Sequence, residues 1–211
     1  MASIALIDYG MGNMHSIAKA LEHAGGRVRC VEHPEQLAGC ARIVLPGVGA
    51  FRDCMRSLRG SGMAEALCQC LNEGTPFLGI CLGMQALMDE SHEFGRHAGL
   101  GLIPGTVEPF PADFPDRGCK IPHMGWNDVL LPEDHAHPVL APLVGQQVYY
   151  VHSYYCRPRL LAHELAACVY GDVRFSAAIG RDNIIGVQFH PEKSQRAGLA
   201  MLQAFIEWMP A

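Results

Sequence analysis

The sequence predicts an α/β fold, a mostly parallel, doubly wound sheet flanked by helices with a small antiparallel sheet beside it. The first ninety residues alternate short apolar runs with amphipathic segments, an order typical of parallel strands joined by helical crossovers. Glycine-containing turns follow the predicted strands, as the connections of such a sheet require. The second half alternates apolar or aromatic residues with polar ones, which favours antiparallel pairing.

The apolar runs of the first half predict four buried strands and the amphipathic segments three helices. The strands are expected at 2–8, 28–31, 42–45 and 77–80, and the helices at 15–24, 51–58 and 63–72. A further helix is expected to begin near Met84. In doubly wound sheets, active sites collect at the carboxyl ends of the strands. The turns at 9–13 and 46–49 and residue Cys81 all follow predicted strands, so we expect them at one edge.

The second half predicts a meander of short strands and one terminal helix. The strands are expected at 105–108, 128–131, 148–156, 167–170, 176–180 and 184–189. The helix is predicted to start at Ser194, a favourable cap, and residues 133–138 form a polar loop. The chain contains no repeat and no linker, so residues 1–211 are expected to form a single domain.

Composition excludes several classes of function. The 211 residues carry a net charge of −5, which argues against binding to nucleic acid or an anionic membrane. No apolar run approaches the roughly 20 residues of a membrane span, and the first ten residues lack the basic start of a signal peptide. The nine cysteines are scattered without disulfide-framework or metal-site spacing. We therefore expect a cytoplasmic protein without a metal.

The stretch Gly79-Ile80-Cys81-Leu82-Gly83 has the spacing of a nucleophile elbow, with cysteine in the place of serine. An elbow needs glycines because neighbouring backbone passes close to the strained turn, and a side chain there would collide with it. A helix that begins just after Cys81 would favour the reactive thiolate. The alternative is a buried structural cysteine beside a turn.

The stretch Gln188-Phe189-His190-Pro191-Glu192 supplies the partners that such a nucleophile needs. A strand places residues i and i+2 on one face, so Glu192 can orient His190 toward a common site. With Cys81 these residues make a nucleophile, a base and an orienting carboxylate. Taken alone, the stretch is equally typical of a surface turn in which proline ends a strand.

With both stretches in view, the chain resembles the class I (triad) glutamine amidotransferases, whose two signatures match residues 79–85 and 188–192. Five motifs are similar to one subgroup, the glutaminase subunits of histidine biosynthesis, and they span the chain from end to end. They are Asp-Tyr-Gly-Met-Gly-Asn at 8–13, Leu-Pro-Gly-Val-Gly-Ala-Phe at 45–51, Lys-Ile-Pro-His-Met-Gly-Trp-Asn at 120–127, Val-His-Ser-Tyr-Tyr at 151–155 and His-Pro-Glu-Lys-Ser at 190–194.

The resemblance implies a cofactor-free hydrolysis of L-glutamine. Cys81 would attack the side-chain amide, His190 would move the proton to the leaving ammonia, and water would release glutamate from a thioester. The amide of Leu82 and an amide of the 47–49 turn, at Val48 or Gly49, would bind the oxyanion. In such subunits the second donor points away until a partner binds. The positions implied to hold glutamine are Gly47, Gly49, Gln85, Ser153 and Tyr154.

The resemblance also implies a partner, because ammonia released into water at neutral pH is protonated and lost. That partner would be a (β/α)8-barrel synthase that receives the ammonia through a channel, in a heterodimer. An exposed tryptophan is typical of an interface anchor. The positions implied to form the interface or the channel gate are Asn13, Met124, Trp126, Tyr149 and Lys193.

Three other functions remain open at this stage. One is the glutaminase subunit of anthranilate or aminodeoxychorismate synthesis, against which the motif at 120–127 argues. Another is a cysteine peptidase or esterase, which would act on peptides or esters without a partner. The third is a non-catalytic partner on the same fold, which would not need all three of Cys81, His190 and Glu192.

Overall fold

The computed structural model describes residues 3–132 and 136–210, and it divides them into strands and α-helices whose bounds follow the predicted alternation. Part of the predicted polar loop at 133–138 lies outside the described residues. The helices are α1 Met14–His23, α2 Phe51–Gly60, α3 Met63–Asn72, α4 Leu82–Gln85 and α5 Gln195–Glu207. The strands are β1 Ser3–Ile7, β2 Arg27–Val31, β3 Arg42–Leu45, β4 Phe77–Ile80, β5 Met88–Ser91, β6 His97–Ala98, β7 Ile103–Pro109, β8 His123–Asp128, β9 Gln147–His152, β10 Tyr154–Pro158, β11 Glu164–Tyr170, β12 Val173–Arg181 and β13 Ile184–Val187.

The main sheet has seven strands in the order β11-β12-β13-β4-β3-β1-β2. The five strands from β13 to β2 run parallel, and β12 and β11 extend the sheet in antiparallel fashion. This arrangement confirms the predicted fold class. Strand β4 lies at the centre of the parallel part, between β3 and β13, so its carboxyl end opens onto the middle of the sheet edge.

Two further sheets lie beside the main one, where the sequence predicts a single small antiparallel sheet. Strands β10, β7, β5 and β6 form a four-stranded sheet in which β5 and β7 are parallel. Strands β8 and β9 form a separate antiparallel pair. The expected meander therefore divides among three sheets, and its last three strands complete the main one.

The core divides into two layers because residues of the parallel strands alternate between the two faces of the sheet. Ile4 and Leu6 of β1 pack on the side of α1 and α5, whereas Ala5 and Ile7 pack on the side of α2 and α3. Each face is thus covered by two helices, as a doubly wound sheet requires. The predicted terminal helix buries Leu202, Phe205 and Ile206, and Leu199 is partly buried.

Three local predictions are wrong. The strand expected at 128–131 is absent, since residues 123–128 form β8 instead and Leu130 makes only an isolated bridge to Ala167. The strand expected at 148–156 is broken at Ser153 into β9 and β10. Ser194 does not cap α5 through its side chain, because its hydroxyl donates to the His190 carbonyl oxygen at 2.7 Å.

All nine cysteines lie in the described part of the chain, and all are free thiols. Within residues 3–132 and 136–210, none of the helices has both the length and the apolar character needed to cross a bilayer.

Candidate active site

Cys81 lies at the carboxyl end of β4 in a strained turn, with φ 54° and ψ −106°. Positive φ is costly for a residue with a side chain and persists only where the surroundings enforce it. Here the flanking glycines allow very close backbone packing. A Cβ on Gly79 would lie 2.5 Å from the Gly83 carbonyl oxygen, and a Cβ on Gly83 would overlap the carbonyl oxygen of Leu45. The expected elbow and its reason for glycine are therefore present.

Replacing Gly83 with alanine is expected to destabilise the protein by roughly 2–4 kcal/mol, because the new methyl group meets backbone that cannot move aside cheaply. Urea denaturation followed by circular dichroism measures this free energy of unfolding. The matched control is Gly60→Ala in α2, where a Cβ would meet nothing within 4 Å. Equal stability of the two variants would contradict the packing argument.

The helix after Cys81 differs from the prediction. It begins at Leu82, not near Met84, and α4 is a single turn of four residues. The chain then enters strand β5 at Met88. A helix of one turn has few aligned peptide dipoles, so the predicted stabilisation of a thiolate by a helix macrodipole is weak here.

His190 and Glu192 meet, although not by strand alternation as predicted. Strand β13 ends at Val187, and Glu192 lies in a short 3-10 helix, Pro191–Lys193. That turn brings the Glu192 Oε1 atom within 2.9 Å of His190 Nδ1, and both side chains are buried. The carboxylate accepts from Nδ1, which leaves Nε2 of His190 as the nitrogen available for chemistry.

Nε2 of His190 is buried and has no hydrogen-bond partner among the described residues. His190 and Cys81 line the same cavity. Burial alone lowers the pKa of His190, but the Cys81 sulfur and then the Glu192 carboxylate outweigh burial and raise the pKa above its ordinary value. The electrostatics therefore favour a protonated imidazole in the cavity that Cys81 lines, and a neighbouring imidazole is what activates a cysteine.

The backbone of the main sheet sets the separation of these groups. The Cys81 N–H donates to the Val187 carbonyl oxygen at 2.8 Å, which continues the β4–β13 ladder by one step. Three residues later, the N–H of His190 donates to the Tyr149 carbonyl oxygen at 2.9 Å. The carboxyl ends of the adjacent strands β4 and β13 thus lead the predicted nucleophile and the predicted base into the same cavity.

One of the predicted oxyanion donors is occupied by a backbone acceptor. The Leu82 N–H donates to the Gly47 carbonyl oxygen at 3.4 Å, so it is occupied. Val48 is 43% exposed, and Gly49 has φ 98°, a region that favours glycine. Opening the site to an oxyanion therefore requires the turn at 47–49 to move away from Leu82.

A cavity of about 600 Å³ lies in front of Cys81, within the usual size range for small-molecule sites. Gly47 lies outside its wall, packed so tightly that a Cβ there would come within 2.5 Å of the Tyr9 hydroxyl. Gln85 is buried and its amide nitrogen is already engaged, by the Tyr154 carbonyl oxygen at 3.0 Å and by Gln188 Oε1 at 3.2 Å. The predicted residues in the wall are Val48, Gly49, Cys81, Leu82, Gln85, Ser153, Tyr154 and His190.

Sequence reasoning missed seven residues at this site. Gln188 donates to Cys81 Sγ at 3.6 Å and is fully buried. Its signal was a polar residue inside the apolar run 184–189, since a buried amide must find partners. The other missed residues lie on loops or on strands whose faces the sequence does not reveal. They are Glu93, Phe94, Ile121, Pro122, Val151 and His152.

Four of the five predicted interface residues lie on the β8–β9 pair or against it, namely Met124, Trp126, Tyr149 and Lys193. Met124 is 61% exposed and Trp126 is 44% exposed. The Trp126 ring meets the Tyr149 ring edge-on at 6.2 Å, and Lys193 Nζ lies 5.7 Å from the centre of the Tyr149 ring. Asn13 is exposed, and its Oδ1 accepts from the Ser16 N–H to cap α1.

Comparison with known protein families decides the lineage of the chain. A family described as glutamine amidotransferase class-I matches residues 5–208. The chain belongs to this family. Proteins named imidazole glycerol phosphate synthase subunit HisH are similar over nearly the whole length. The one from Rhodospirillum rubrum is 51% identical, covering 98% of this chain and 99% of its own, and the one from Geobacter sulfurreducens is 48% identical with the same coverage. This glutamine amidotransferase therefore also belongs among the HisH subunits.

Solved structures agree on the fold. A structure of PurLQS from Thermotoga maritima has a TM-score of 0.75 at 19% identity, covering 98% of this chain and 99% of that chain. A crystal structure of a glutamine amidotransferase has a TM-score of 0.73 at 18% identity, covering 96% and 97%. At such identities the likeness establishes the fold of this glutamine amidotransferase and leaves the roles of individual residues to its own geometry.

Proposed function

We propose that the chain hydrolyses L-glutamine to glutamate and ammonia through a thioester on Cys81. His190 takes the thiol proton and gives a proton to the leaving ammonia, and Glu192 holds the imidazole through Nδ1. The observation that carries this proposal is the unpartnered, buried Nε2 of His190 in the same cavity as Cys81, with Glu192 at 2.9 Å on the far side of the ring. The whole chain, residues 1–211, acts as one glutaminase domain.

The cavity wall supports recognition of an amino-acid substrate. Glu93 provides a carboxylate for the α-ammonium group of glutamine, and its Oε2 accepts from the Phe51 N–H at 2.5 Å, which fixes its position. Ser153 lies in the cavity wall where the chain breaks between β9 and β10, and its carbonyl oxygen accepts from the Phe110 N–H at 3.2 Å, which fixes its backbone there. Tyr154 and Phe94 form an aromatic edge-on pair at 6.4 Å beside the opening.

We further propose that the ammonia passes to a (β/α)8-barrel synthase subunit, which makes imidazole glycerol phosphate and AICAR in histidine biosynthesis. The names of the similar subunits support assembly with a second subunit. The exposed Met124 and Trp126 support the β8–β9 pair as the docking face. Nine free thiols support work in a reducing compartment, for which we propose the cytoplasm.

The experiment that tests this function measures glutamate release from glutamine by the purified chain, alone and with the barrel subunit and its nucleotide substrate. Release that depends on Cys81 and rises with the partner is expected. Hydrolysis of peptides or esters by the chain alone, without glutamine turnover, would instead favour a cysteine peptidase or esterase.

Replacing Trp126 with alanine is expected to weaken assembly by about thirtyfold or more in Kd, as the loss of an aromatic anchor typically does. The melting temperature of the isolated chain should change little, because the side chain is 44% exposed. Isothermal titration calorimetry with the barrel subunit measures Kd. The matched control is Leu161→Ala, which also shortens an exposed apolar side chain, 79% exposed, outside the predicted interface. Equal Kd values for both variants would contradict the docking face.

A further inference from the structure

A continuous chain of hydrogen bonds runs from strand β8 to the sulfur of Cys81, and the proposed triad does not account for it. Four of its side chains are at most 6% exposed, which is unusual for two histidines and two glutamines. Its members are Asn127, His123, His152, the Tyr154 carbonyl oxygen, Gln85 and Gln188.

The half nearest the sulfur has one consistent orientation. The Tyr154 carbonyl oxygen can only accept, so the amide nitrogen of Gln85, at 3.0 Å, must face it. The second hydrogen of that nitrogen goes to Gln188 Oε1 at 3.2 Å. The amide nitrogen of Gln188 must then face Cys81 Sγ, which lies 3.6 Å away. The direction of every donor therefore follows from a single backbone carbonyl group.

The other half converges on the same carbonyl oxygen. His152 Nδ1 lies 2.9 Å from the Tyr154 oxygen and must carry a proton. His152 Nε2 then accepts from His123 Nδ1 at 3.0 Å. His123 Nε2 accepts from Asn127 Nδ2 at 3.3 Å. The other hydrogen of Asn127 Nδ2 goes to the Val169 carbonyl oxygen at 3.0 Å. Each ring nitrogen and amide hydrogen named here has one partner.

The surroundings hold both histidines neutral and in place. Burial lowers the pKa of His123 to about 4. Burial, then His123, lower the pKa of His152 to about 3. The His123 ring is stacked on Tyr170 at 4.0 Å and on Tyr150 at 5.0 Å. The hydrogen bonds set the tautomer of each neutral ring, and the aromatic stacking blocks rotation of His123, so the two histidines hold the Tyr154 carbonyl oxygen in place.

We propose that Gln188 donates a hydrogen bond to the Cys81 thiolate, that Gln85 keeps the Gln188 amide turned toward the sulfur, and that His152 and His123 are positioning residues that hold the Tyr154 carbonyl oxygen on which Gln85 depends. A hydrogen bond to a charged acceptor is about twice as strong as a neutral one, so this contact favours the thiolate over the thiol and restrains the sulfur. Strand β8, which carries Met124 and Trp126, is thereby joined to the nucleophile through side chains and one backbone carbonyl oxygen, that of Tyr154. The inference rests on the proposed role of Cys81 as nucleophile.

Replacing Gln188 with methionine tests the proposal, because methionine has nearly the same length and cannot donate. The rate of Cys81 alkylation by iodoacetamide is measured against pH by mass spectrometry of the Cys81 peptide, in the full chain without glutamine. The exposed Cys30 serves as the internal standard. We expect alkylation at pH 7 to slow roughly ten- to hundredfold, with its pH midpoint shifted upward, as the loss of a hydrogen bond to a charged group implies.

The change in the alkylation of Cys81 can be assigned to Gln188, because the Gln188→Met variant retains the other titratable groups that act on Cys81. These groups are His190, Tyr9 and Cys156. Gln203→Met, an exposed change in α5, is the matched control and should leave the rate unchanged. A Cys81 rate within twofold of the native chain in folded Gln188→Met would overturn the proposal. Because no glutamine is turned over, this result is distinguishable from failure of the proposed function.

Two further measurements test the positioning residues. Nitrogen-15 NMR of histidine-labelled native chain should show His123 and His152 as the less common tautomer protonated at Nδ1 from pH 6 to 8. A signal from Nε2–H at either residue would overturn the proposed chain of hydrogen bonds, whether or not the Gln188 variant folds. His123→Phe keeps the aromatic packing and removes the donor to His152, so Cys81 alkylation should slow several-fold while that of the exposed Cys30 is unchanged. An unchanged Cys81 rate would remove His123 from the proposal.

Discussion

Replacing Cys81 with alanine is expected to abolish glutamine-dependent synthesis by the two-subunit complex, with a loss of at least about 10⁴-fold in kcat, while synthesis from added ammonium salt persists. The loss is large because the thioester cannot form without the sulfur, and the remaining groups act only as a unit with it. Ammonia-dependent synthesis survives because, in the proposed complex, the partner subunit carries out the chemistry that consumes ammonia. The measurement compares the rate of product formation with glutamine and the rate with ammonium, at equal partner concentration.

Cys156→Ala is the matched control, since Cys156 is also buried and close enough to Cys81 for the two charges to interact. We expect this variant to retain glutamine-dependent synthesis. If Cys81→Ala abolishes both activities while the complex remains assembled, the division of labour between the subunits is wrong. If it retains glutamine hydrolysis, the nucleophile is wrong.

The isolated chain is expected to hydrolyse glutamine very slowly, and the assembled, nucleotide-bound complex about 10²–10³-fold faster. The reason is the hydrogen bond from the Leu82 N–H to the Gly47 carbonyl oxygen, which occupies one of the proposed oxyanion donors. One missing oxyanion donor typically costs a factor of that size in kcat. Movement of the 47–49 turn on partner binding would release the donor, and the positive φ of Gly49 makes such a rearrangement inexpensive.

The measurement compares kcat for glutamine hydrolysis with the rate of Cys81 alkylation, each with and without partner. Alkylation proceeds without a tetrahedral oxyanion, so it should change by less than about threefold where hydrolysis rises by 10²–10³. Parallel increases in both rates would place the gate at the sulfur and not at the oxyanion turn. Full hydrolysis by the isolated chain would dismiss the gate altogether.

The parallel half of the fold is predictable because its strands are buried on both faces and read as continuous apolar runs. Strand β3 at Arg42–Leu45 and strand β4 at Phe77–Ile80 have the predicted bounds. The elbow glycines are predictable for a related reason, since only close backbone approach explains glycine on both sides of Cys81. Local sequence determines these features, and tertiary contacts do not overrule it.

The peripheral strands are not predictable in the same way. Strand β5 has the sequence Met-Asp-Glu-Ser, which carries no alternation of apolar and polar residues, and it exists because β7 and β6 pair with it. Strand β8 is dominated by His123, Asn127 and other polar or small residues, and it gains order from β9 and from the buried histidine pair. Pairing partners distant in sequence determine such strands.

The candidate site likewise contains residues that the sequence predicts and residues that only the structure reveals. Cys81, His190 and Glu192 are signalled by motifs, and the structure brings them together, yet by a 3-10 turn that strand alternation does not describe. Gln188 escapes sequence reasoning because a glutamine next to an apolar run has many possible partners. Only the three-dimensional path from Tyr154 through Gln85 shows which one it takes.

The position of β4 between β3 and β13 has a consequence for synthesis on the ribosome. The strand that carries the sulfur, β4, is made well before its neighbour β13 and before the imidazole of His190. Until those residues leave the exit tunnel, one long edge of β4 is unpaired and prone to wrong association. A nascent or truncated chain therefore cannot release ammonia, and we expect it to depend on chaperones that shield that edge.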